Sequence, residues 1–438
     1  MRRQFLLYSM LAVTAVGAQA PQNAAGGASS SQMATPPPVN GMSYPTQVKS
    51  EVRSNYLSGG IVYTTSYIDN FLPDSGNAPI AETTLSFLST IALDATSARQ
   101  HATLAYSPGF TLYRPSSALN EMDNMAAVDY SFRLTPHTTV IAVDRFQDSS
   151  SPYLPAGEGG PVSGAPVSST PGITPPFAKR LTNSATVGIT MQTGLNDMIG
   201  ASGLSTVLRY PSSSETPGLS NSSSGGGMVF YNRRVSTSQY LGVTYQYMNM
   251  LTTEATGDST TKTSTPMGYY AVYPRPQLTL SVSGGPQYYQ LAKSQAVMTS
   301  AWGPTLSASM GWLSGHTSFA ASYSQSVTGA GGLPGAFHTR TANGIVRWQL
   351  AHTWTLGASG SYSINKSVNG IVLPASSNGH TLLGSASVQH PIGHQVGLAF
   401  NYDHVHQNYG DVAAIAANPD SNRFSVSVSW TFLRPLGK

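Results

Sequence analysis

Two short patterns in the sequence carry residue types that could act on a substrate or bind a metal. Ser363 and Lys366 have the spacing at which a lysine can serve as the base for a serine nucleophile, and His404 and His406 lie two residues apart, as two ligands of one metal could. Ser363 lies in a strand-like stretch without a partner motif, and a zinc site would need a third ligand. The sequence therefore predicts no catalytic residue, no metal site and no cofactor, and we expect that the protein is not an enzyme.

Five charged residues occupy the polar positions of stretches in which apolar and polar residues alternate. Side chains in a strand alternate between two faces, so these charges lie opposite the apolar residues that flank them. If the apolar face meets lipid, a charge on the other face meets water or another charge. The candidates to line a pore are Asp129, Arg133, Arg347, Asp403 and Arg423. For each of them, a purely structural role is the alternative to solute binding.

Composition separates this chain from soluble enzymes and from disordered proteins. Charged residues make up 9% of the 438 residues, whereas about 25% is usual in soluble domains. The hydrophobic fraction of 40% is too high for a disordered chain. After the N-terminus, no run of about 18 apolar residues occurs that could form a membrane helix. Since there is no cysteine, disulfides and thiolate metal sites are excluded.

The N-terminal segment has the pattern of an export signal. Residues 1–20 begin with Arg2 and Arg3, continue with an apolar stretch and end in Ala18-Gln19-Ala20, which predicts a cleaved signal peptide; a short amphipathic helix is the alternative. Two of the 22 basic residues belong to this segment, so the basic character predicts no nucleic-acid partner. Residues 21–50 are rich in Ala, Gly, Ser and Pro, which predicts a flexible periplasmic leader. Residues 51–438 remain for one folded domain.

The last predicted strand alternates without a break from Arg423 to Phe432. Its large apolar residues fall on one face, and Ser, Thr and Arg fall on the other. A strand needs these two faces when lipid lies on one side and water on the other. The stretch, with Trp430 and Phe432, resembles the C-terminal recognition strand of bacterial outer-membrane β-barrels. This resemblance implies location in the outer membrane, contact with its lipid and a partner in the barrel-assembly machinery.

Tight turns recur through the domain, each between two alternating stretches. The segments between successive hairpins are longer and rich in Gly, Ser, Asn and Pro. The turns are centred near Ser97, Pro136, Asn196, Thr237, Arg275, Gly315, Thr353 and Gly393. This pattern predicts an all-β fold, a transmembrane antiparallel β-barrel of about 18 strands, with 16 as the alternative. A soluble β-sandwich or propeller would also alternate.

Aromatic residues favour the membrane barrel over the sandwich. Four of the five tryptophans lie within a few residues of a tight turn or of the end of the last strand, and tyrosines recur eight or nine residues beyond the turns. Nine tilted strand residues rise roughly 23 Å, close to the ~25 Å apolar band of an outer-membrane barrel. We therefore predict two aromatic girdles, which contain Trp312, Trp348, Trp354, Trp430, Tyr245, Tyr323, Tyr362 and Tyr402.

The predicted interior indicates a permissive channel. Ser, Thr, Gly and Gln with few charges imply weak ion selectivity and passage of small polar or saccharide solutes. The long segment from Asp148 to Thr182 matches by position the loop that constricts the classical porins, which this order of elements resembles. It could fold inward or stay at the surface. A structural or adhesive barrel with a blocked lumen is the rival hypothesis, and no oligomeric state is predicted.

A narrower resemblance covers about seventy residues from Ala81 to Ser150. The stretch Asn124 to Asp148, with Val128-Asp-Tyr-Ser-Phe132, Leu134-Thr-Pro136 and Val143-Asp-Arg-Phe146, is similar to the start of porin-like barrels associated with exopolysaccharide export. The resemblance implies a channel or accessory barrel for surface polysaccharide. It carries no catalytic or binding motif.

Overall fold

A computed structural model shows how the alternating stretches assemble. It describes residues 55–70, 81–149, 179–211, 219–253, 258–275, 277–293, 296–329, 335–351, 353–368, 378–393, 395–409 and 420–436. The predicted signal peptide (1–20) and leader (21–50) lie outside these residues, so both stay predictions. Within them, the one helical element is a 3₁₀ turn at Ser117–Leu119. No helix formed by the described residues has the length and apolar character needed to cross a membrane.

Eighteen strands make up nearly all of the described chain. They are β1 Tyr56–Ile68, β2 Glu82–Thr96, β3 Gln100–Arg114, β4 Glu121–Thr135, β5 Thr138–Ser149, β6 Arg180–Gln192, β7 Asp197–Arg209, β8 Asn221–Ser236 and β9 Gln239–Thr253. The second half consists of β10 Ser259–Arg275, β11 Leu278–Lys293, β12 Ala296–Leu313, β13 Thr317–Gly329, β14 Ala336–Gln349, β15 Thr355–Ser367, β16 Gly379–Ile392, β17 Val396–Tyr409 and β18 Asp420–Pro435.

The strands form one closed antiparallel sheet. Each strand pairs with its neighbours in sequence, and β1 pairs with both β2 and β18, which closes the barrel. Closure removes the sheet edges, whose backbone N–H and C=O groups would otherwise lack partners. The prediction of an all-β antiparallel barrel with about 18 strands is therefore confirmed, and the alternative of 16 is wrong. The strand near Tyr56 and the hairpin around Asn196 are both present.

All eight predicted tight turns connect consecutive strands at one end of the barrel, which we call the turn end. Gly393, between β16 and β17, has a φ of 79°, a backbone conformation that glycine adopts without strain. The opposite end, which we call the loop end, carries nine connections. One of these differs from the expected long loops, because only residues 294–295 separate β11 from β12.

The two faces of the sheet differ as the alternation predicts. On β18, Phe424, Val426 and Trp430 are exposed on the outer face, whereas Ser425 and Ser427 are buried on the inner face. Residues opposite each other on neighbouring strands share a face of the sheet. The register of β18 with β1 and β17 therefore assigns the residues of those strands to the outer or the inner face as well. The barrel therefore has an apolar exterior and an interior wall with many buried Ser and Thr side chains. On β7 to β10 the interior also carries a buried apolar cluster, formed by Met198, Phe230, Tyr240, Tyr269, Ala271 and Tyr273.

Candidate functional site in the barrel interior

Asp403 and Arg423, two of the five predicted pore-lining residues, form an ion pair on the interior wall. They lie directly opposite each other on β17 and β18. The guanidinium donates from Nε and from Nη2 to Asp403 Oδ2 over 2.9 and 2.8 Å. Arg423 shares its face with the buried Ser425. The pair places two opposite charges on one patch of the wall, so that neither is left alone there.

Asp129 pairs with Arg145, a residue that the sequence analysis missed. Arg145 Nη2 lies 2.6 Å from both carboxylate oxygens, and Nη1 donates to the backbone oxygen of Val128 over 3.0 Å. Arg145 was missed because its face of β5 also carries Val143, so this short strand does not alternate cleanly between polar and apolar residues. Asp129 lies on the inner face of β4, and the register of the β4–β5 hairpin places Arg145 on the same face. This relation is the signal that could have identified Arg145.

The remaining two predicted pore-lining residues, Arg133 and Arg347, lie on β4 and β14. Arg133 is exposed near the turn end, where its backbone N–H donates to the carbonyl of Arg99 over 2.7 Å. Arg347 on β14 is half-buried, and its Nη2 lies 3.4 Å from Gln389 Oε1 on β16. Among the five predicted residues, the structure shows a direct ion pair between Asp403 and Arg423, and the role of all five in lining a pore remains a prediction.

The predicted girdle residues lie on the outer face, with some variation in exposure. Trp312, Trp348, Trp354, Trp430, Tyr245, Tyr362 and Tyr402 are exposed, whereas Tyr323 is half-buried. Trp354 lies in the turn before β15 and stacks on His390 with ring centroids 4.4 Å apart. Tyr402 packs on Phe424 at 4.9 Å and donates to Asn422 Oδ1 over 2.7 Å. Large rings with one polar atom suit the boundary between lipid and water, so a girdle role stays the prediction.

The barrel narrows at the loop end, where β13 approaches β9. The N–H of Gly329 donates to Sδ of Met250 over 3.3 Å, and Met250 belongs to the buried inner face of β9. In an evenly curved sheet these strands would be separated by four interstrand spacings of about 4.8 Å, roughly 19 Å. The end of β13 must therefore lie inside the barrel.

The adjoining end of β14 follows β13 inward. His338 packs edge-on against Tyr289 of β11, with ring centroids 5.9 Å apart. A Cβ added to Gly303 of β12 would lie 3.4 Å from His338 Cε1 and 3.9 Å from Val327 Cγ2. The inner faces of β11 and β12 thus cover the outer faces of β13 and β14. We call residues 327–329 and 335–338 the infolded end.

A chain of hydrogen bonds connects the infolded end to the interior faces of β15 and β17. Thr328 and Thr339 share a hydrogen bond of 3.1 Å, and Thr339 donates to Asn365 Oδ1 over 2.8 Å. Asn365 in turn donates to the hydroxyl of Tyr409 over 2.7 Å. All four side chains are buried. Satisfied buried polar groups of this kind fix one arrangement of the wall.

The two patterns that suggested chemistry do not form a site. Ser363 is buried on the inner face of β15, and Lys366 falls on the opposite face because it lies three positions further along the strand, an odd offset. His404 Nδ1 lies 2.8 Å from Asn422 Oδ1, and His406 Nδ1 lies 2.7 Å from Asp420 Oδ1. Within the described part of the chain, no three His, Cys, Asp or Glu residues are arranged to hold a metal.

The segment predicted as a loop from Asp148 to Thr182 is shorter than expected. Asp148 belongs to β5, Arg180 begins β6, and Asp148 forms an ion pair of 3.3 Å with Lys179. Cross-strand pairing of Asp148 with Leu181 extends the β5–β6 hairpin at both ends of the segment. Residues 150–178, on which inward folding of this loop depends, lie outside the described residues, so that prediction stays untested.

Comparison with known proteins gives only coarse structural similarity. The chain is similar to Pseudomonas aeruginosa OpdQ (TM-score 0.41, 8% identity, 88% of this chain and 100% of that chain) and to Acinetobacter baumannii OccAB4 (0.42, 9%, 87% and 98%). It is also similar to the ferric citrate transporter FecA in its unliganded form (0.44, 10%, 88% and 79%). No protein-family model and no curated protein sequence matches. At these TM-scores the likeness carries no argument, and the closed sheet itself defines the class, an antiparallel β-barrel.

Proposed function

We propose that this protein is an outer-membrane channel for small polar solutes. One observation carries the proposal: the sheet closes into 18 strands with an apolar exposed exterior and an interior wall rich in Ser and Thr. In lipid, only helices and closed barrels satisfy every backbone hydrogen bond. Barrels of this size enclose more space than side chains of the wall can fill. Export by residues 1–20 and assembly through β18, which pairs with β1, belong to the same proposal.

The interior charges support weak ion selectivity. Asp403 with Arg423, and Asp129 with Arg145, are paired at 2.8 and 2.6 Å, so each patch carries no net charge. A wall on which these two charge pairs are neutralised and which carries many hydroxyls suits neutral hydrophilic solutes. Saccharides fit this chemistry, and the resemblance of the β4–β5 region to exopolysaccharide-associated barrels makes surface polysaccharide the finer form of the proposal.

Single-channel recording in planar bilayers tests the channel. We expect discrete conductance steps and a reversal potential near zero in a KCl gradient. Arg145→Gln should move the reversal potential toward cation preference, because Asp129 then faces the lumen without its partner. Arg434→Gln is the matched control, since Arg434 is exposed on the outer face of β18. A barrel that inserts but never conducts would contradict the channel.

The rival function, a structural barrel with a blocked lumen, is favoured by a separate observation. On β10, the inward residues Thr261, Thr263 and Thr265 near the loop end and Tyr269 near the turn end are all buried. An interior wall open to a wide channel would expose them. Insertion into the bilayer without conductance steps would favour the structural barrel over the channel.

A further inference from the structure

Three prolines lie side by side across neighbouring strands of the wall. Pro286 of β11 is directly opposite Pro304 of β12. The β10–β11 ladder passes from Ser264↔Tyr288 to Gly268↔Gly284, and this register sets Pro266 opposite Pro286. Because proline has no N–H, it is found in sheets at edges and interruptions. The row therefore marks a line of weak pairing across the barrel wall.

The line continues to Val327 of β13, where pairing between strands stops. The β12–β13 ladder ends at Leu306↔Gln325, and its register would next bring Pro304 opposite Val327. Beyond that point, β12 pairs only with β11, and β13 pairs only with β14. We call this opening, between residues 296–305 of β12 and 326–329 of β13, the seam.

The side chain of Gln287 closes the seam from the inside. Its Oε1 accepts the N–H of Val327 over 2.7 Å, and its Nε2 donates to the carbonyl of Val327 over 3.2 Å. Thr305 also donates to Gln287 Oε1 over 3.1 Å. The amide thus supplies the N–H donor that Pro304 lacks, together with an acceptor for the N–H of Val327. Since Gln287 reaches Val327 from β11, the closure is a side-chain contact and not a strand ladder.

Apolar side chains line both sides of the seam. Inside, Tyr289, Leu291, Val327 and Ala336 form a buried cluster. Outside, the rings of Tyr288 and Trp302 pack at 5.1 Å, and Trp302 is 63% exposed. Apolar surfaces inside and outside the seam, the outer one carrying two aromatic rings, suit a hydrocarbon chain.

One exposed cation lies at the base of the seam. Arg340 of β14 is opposite Gln325, which is opposite Leu306 in the last pair of the β12–β13 ladder. Arg340 is exposed, and no ion pair joins it to another residue in the described ranges. A guanidinium at this position can bind a carboxylate in bidentate fashion.

We propose that the seam is a lateral binding port for a single-chain amphiphile with an anionic head, of the long-chain carboxylate class. Arg340 binds the anionic head of the amphiphile. Its hydrocarbon chain lies between β12 and β13, against the buried cluster that contains Leu291, and Gln287 keeps the port closed when no amphiphile is bound. This inference rests on the proposed membrane location, but not on conduction of solutes through the lumen.

Thiol labelling tests the closure by Gln287. The chain has no cysteine, and Val327 is buried, so Val327→Cys in vesicles should react slowly with a lipid-soluble maleimide. Adding Gln287→Leu should raise the labelling rate at least about tenfold, because opening then costs fewer hydrogen bonds. Gln290→Leu is the matched control, since Gln290 lies on the same strand and bonds instead to the hydroxyl of Tyr288. Equal rates in the two backgrounds would overturn the role of Gln287.

Quenching of tryptophan by dibromostearate tests binding. We expect saturable quenching in vesicles that disappears in Trp302→Phe, and an affinity about tenfold lower in Arg340→Gln, equivalent to ~1.4 kcal/mol. Arg275→Gln, an exposed arginine at the turn end, should behave as the parent protein. Quenching that rises linearly and equally in all variants would show partition into bulk lipid only and would overturn the port. A barrel that conducts without saturable quenching loses the port alone, whereas one that never inserts into vesicles refutes the membrane location as well.

Discussion

Proline interrupts the sheet at two places with different consequences. In the β2–β3 ladder, pairing passes from Leu88↔Gly109 to Ile91↔Tyr106 around Pro108, and then continues in the same register. In the β12–β13 ladder, pairing ends below Pro304 and does not resume within the described strands. A missing N–H is therefore a local defect where both strands run on together, and it becomes an opening where one strand turns away.

The groups that repair the two interruptions differ in the same way. Beside Pro108, Ser89 Oγ donates weakly to the proline carbonyl over 3.4 Å, and Thr90 shares a hydrogen bond of 3.0 Å with Ser107. Beside Pro304, Gln287 satisfies both backbone groups of Val327 from a strand that is not its neighbour. The first repair adds to a ladder that already holds, whereas the second replaces the ladder.

The largest effect is expected from Gln287→Leu. This change leaves the buried N–H and C=O of Val327 without partners, at roughly 1–3 kcal/mol for each group, so we expect a loss of about 2–4 kcal/mol in the free energy of unfolding. Guanidinium unfolding of the reconstituted barrel, followed by tryptophan fluorescence, measures it. Ser89→Ala beside Pro108 should cost less than about 1 kcal/mol. Equal losses at the two positions would remove the distinction between them.

Pro304→Ala should strengthen the pairing between β12 and β13. The restored N–H can donate to Val327, which should extend the ladder and slow amide exchange around Val327 by about fivefold to tenfold, as one added hydrogen bond of ~1 kcal/mol would. Hydrogen exchange with mass spectrometry over residues 324–329 checks this. Pro108→Ala, the control, should slow amide exchange only where the β2–β3 ladder is interrupted, between Leu88↔Gly109 and Ile91↔Tyr106. No change near Val327 would mean that the inward turn of β13, and not the proline, holds the seam open.

Met250→Ala tests whether the infolded end narrows the lumen. Removing the thioether beside Gly329 widens the space between β9 and β13, so single-channel conductance should rise, by less than about twofold, because other contacts still hold the infolded end in place. Met228→Ala removes the same type of side chain from β8. Met228 packs on the buried apolar cluster that contains Met198 and Phe230, and its removal should leave conductance unchanged. A larger rise in Met228→Ala than in Met250→Ala would place the narrow point elsewhere.

The smallest effect is expected from Thr90→Val beside Pro108. It removes the hydrogen bond to Ser107 while keeping the side-chain volume, and should lower the free energy of unfolding by about 0.5–1 kcal/mol. The same guanidinium titration detects it as a small shift of the midpoint. A loss as large as that of Gln287→Leu would show that the β2–β3 ladder also depends on its side-chain repair.

Much of the architecture could be predicted because its causes are local. Alternation with period two assigned the outer and inner faces of β18 and β17, and the short breaks between paired alternating stretches located all eight connections of the turn end. Asp403 and Arg423 could be placed on one face by parity alone. Their ion pair, and that of Asp129 with Arg145, depends on the register between strands, which no single strand encodes.

The sequence by itself determined the class of fold and the two faces of the wall and narrowed the strand count to 18 or 16, since each follows from neighbouring residues. Only the tertiary structure decided that the ends of β13 and β14 turn inward, that Gln287 serves Val327 forty residues away, and that Pro266, Pro286 and Pro304 form one row. These features arise from contacts between distant strands of a closed sheet. Their energies depend on curvature and register, which are set by the whole barrel and not by any segment of it.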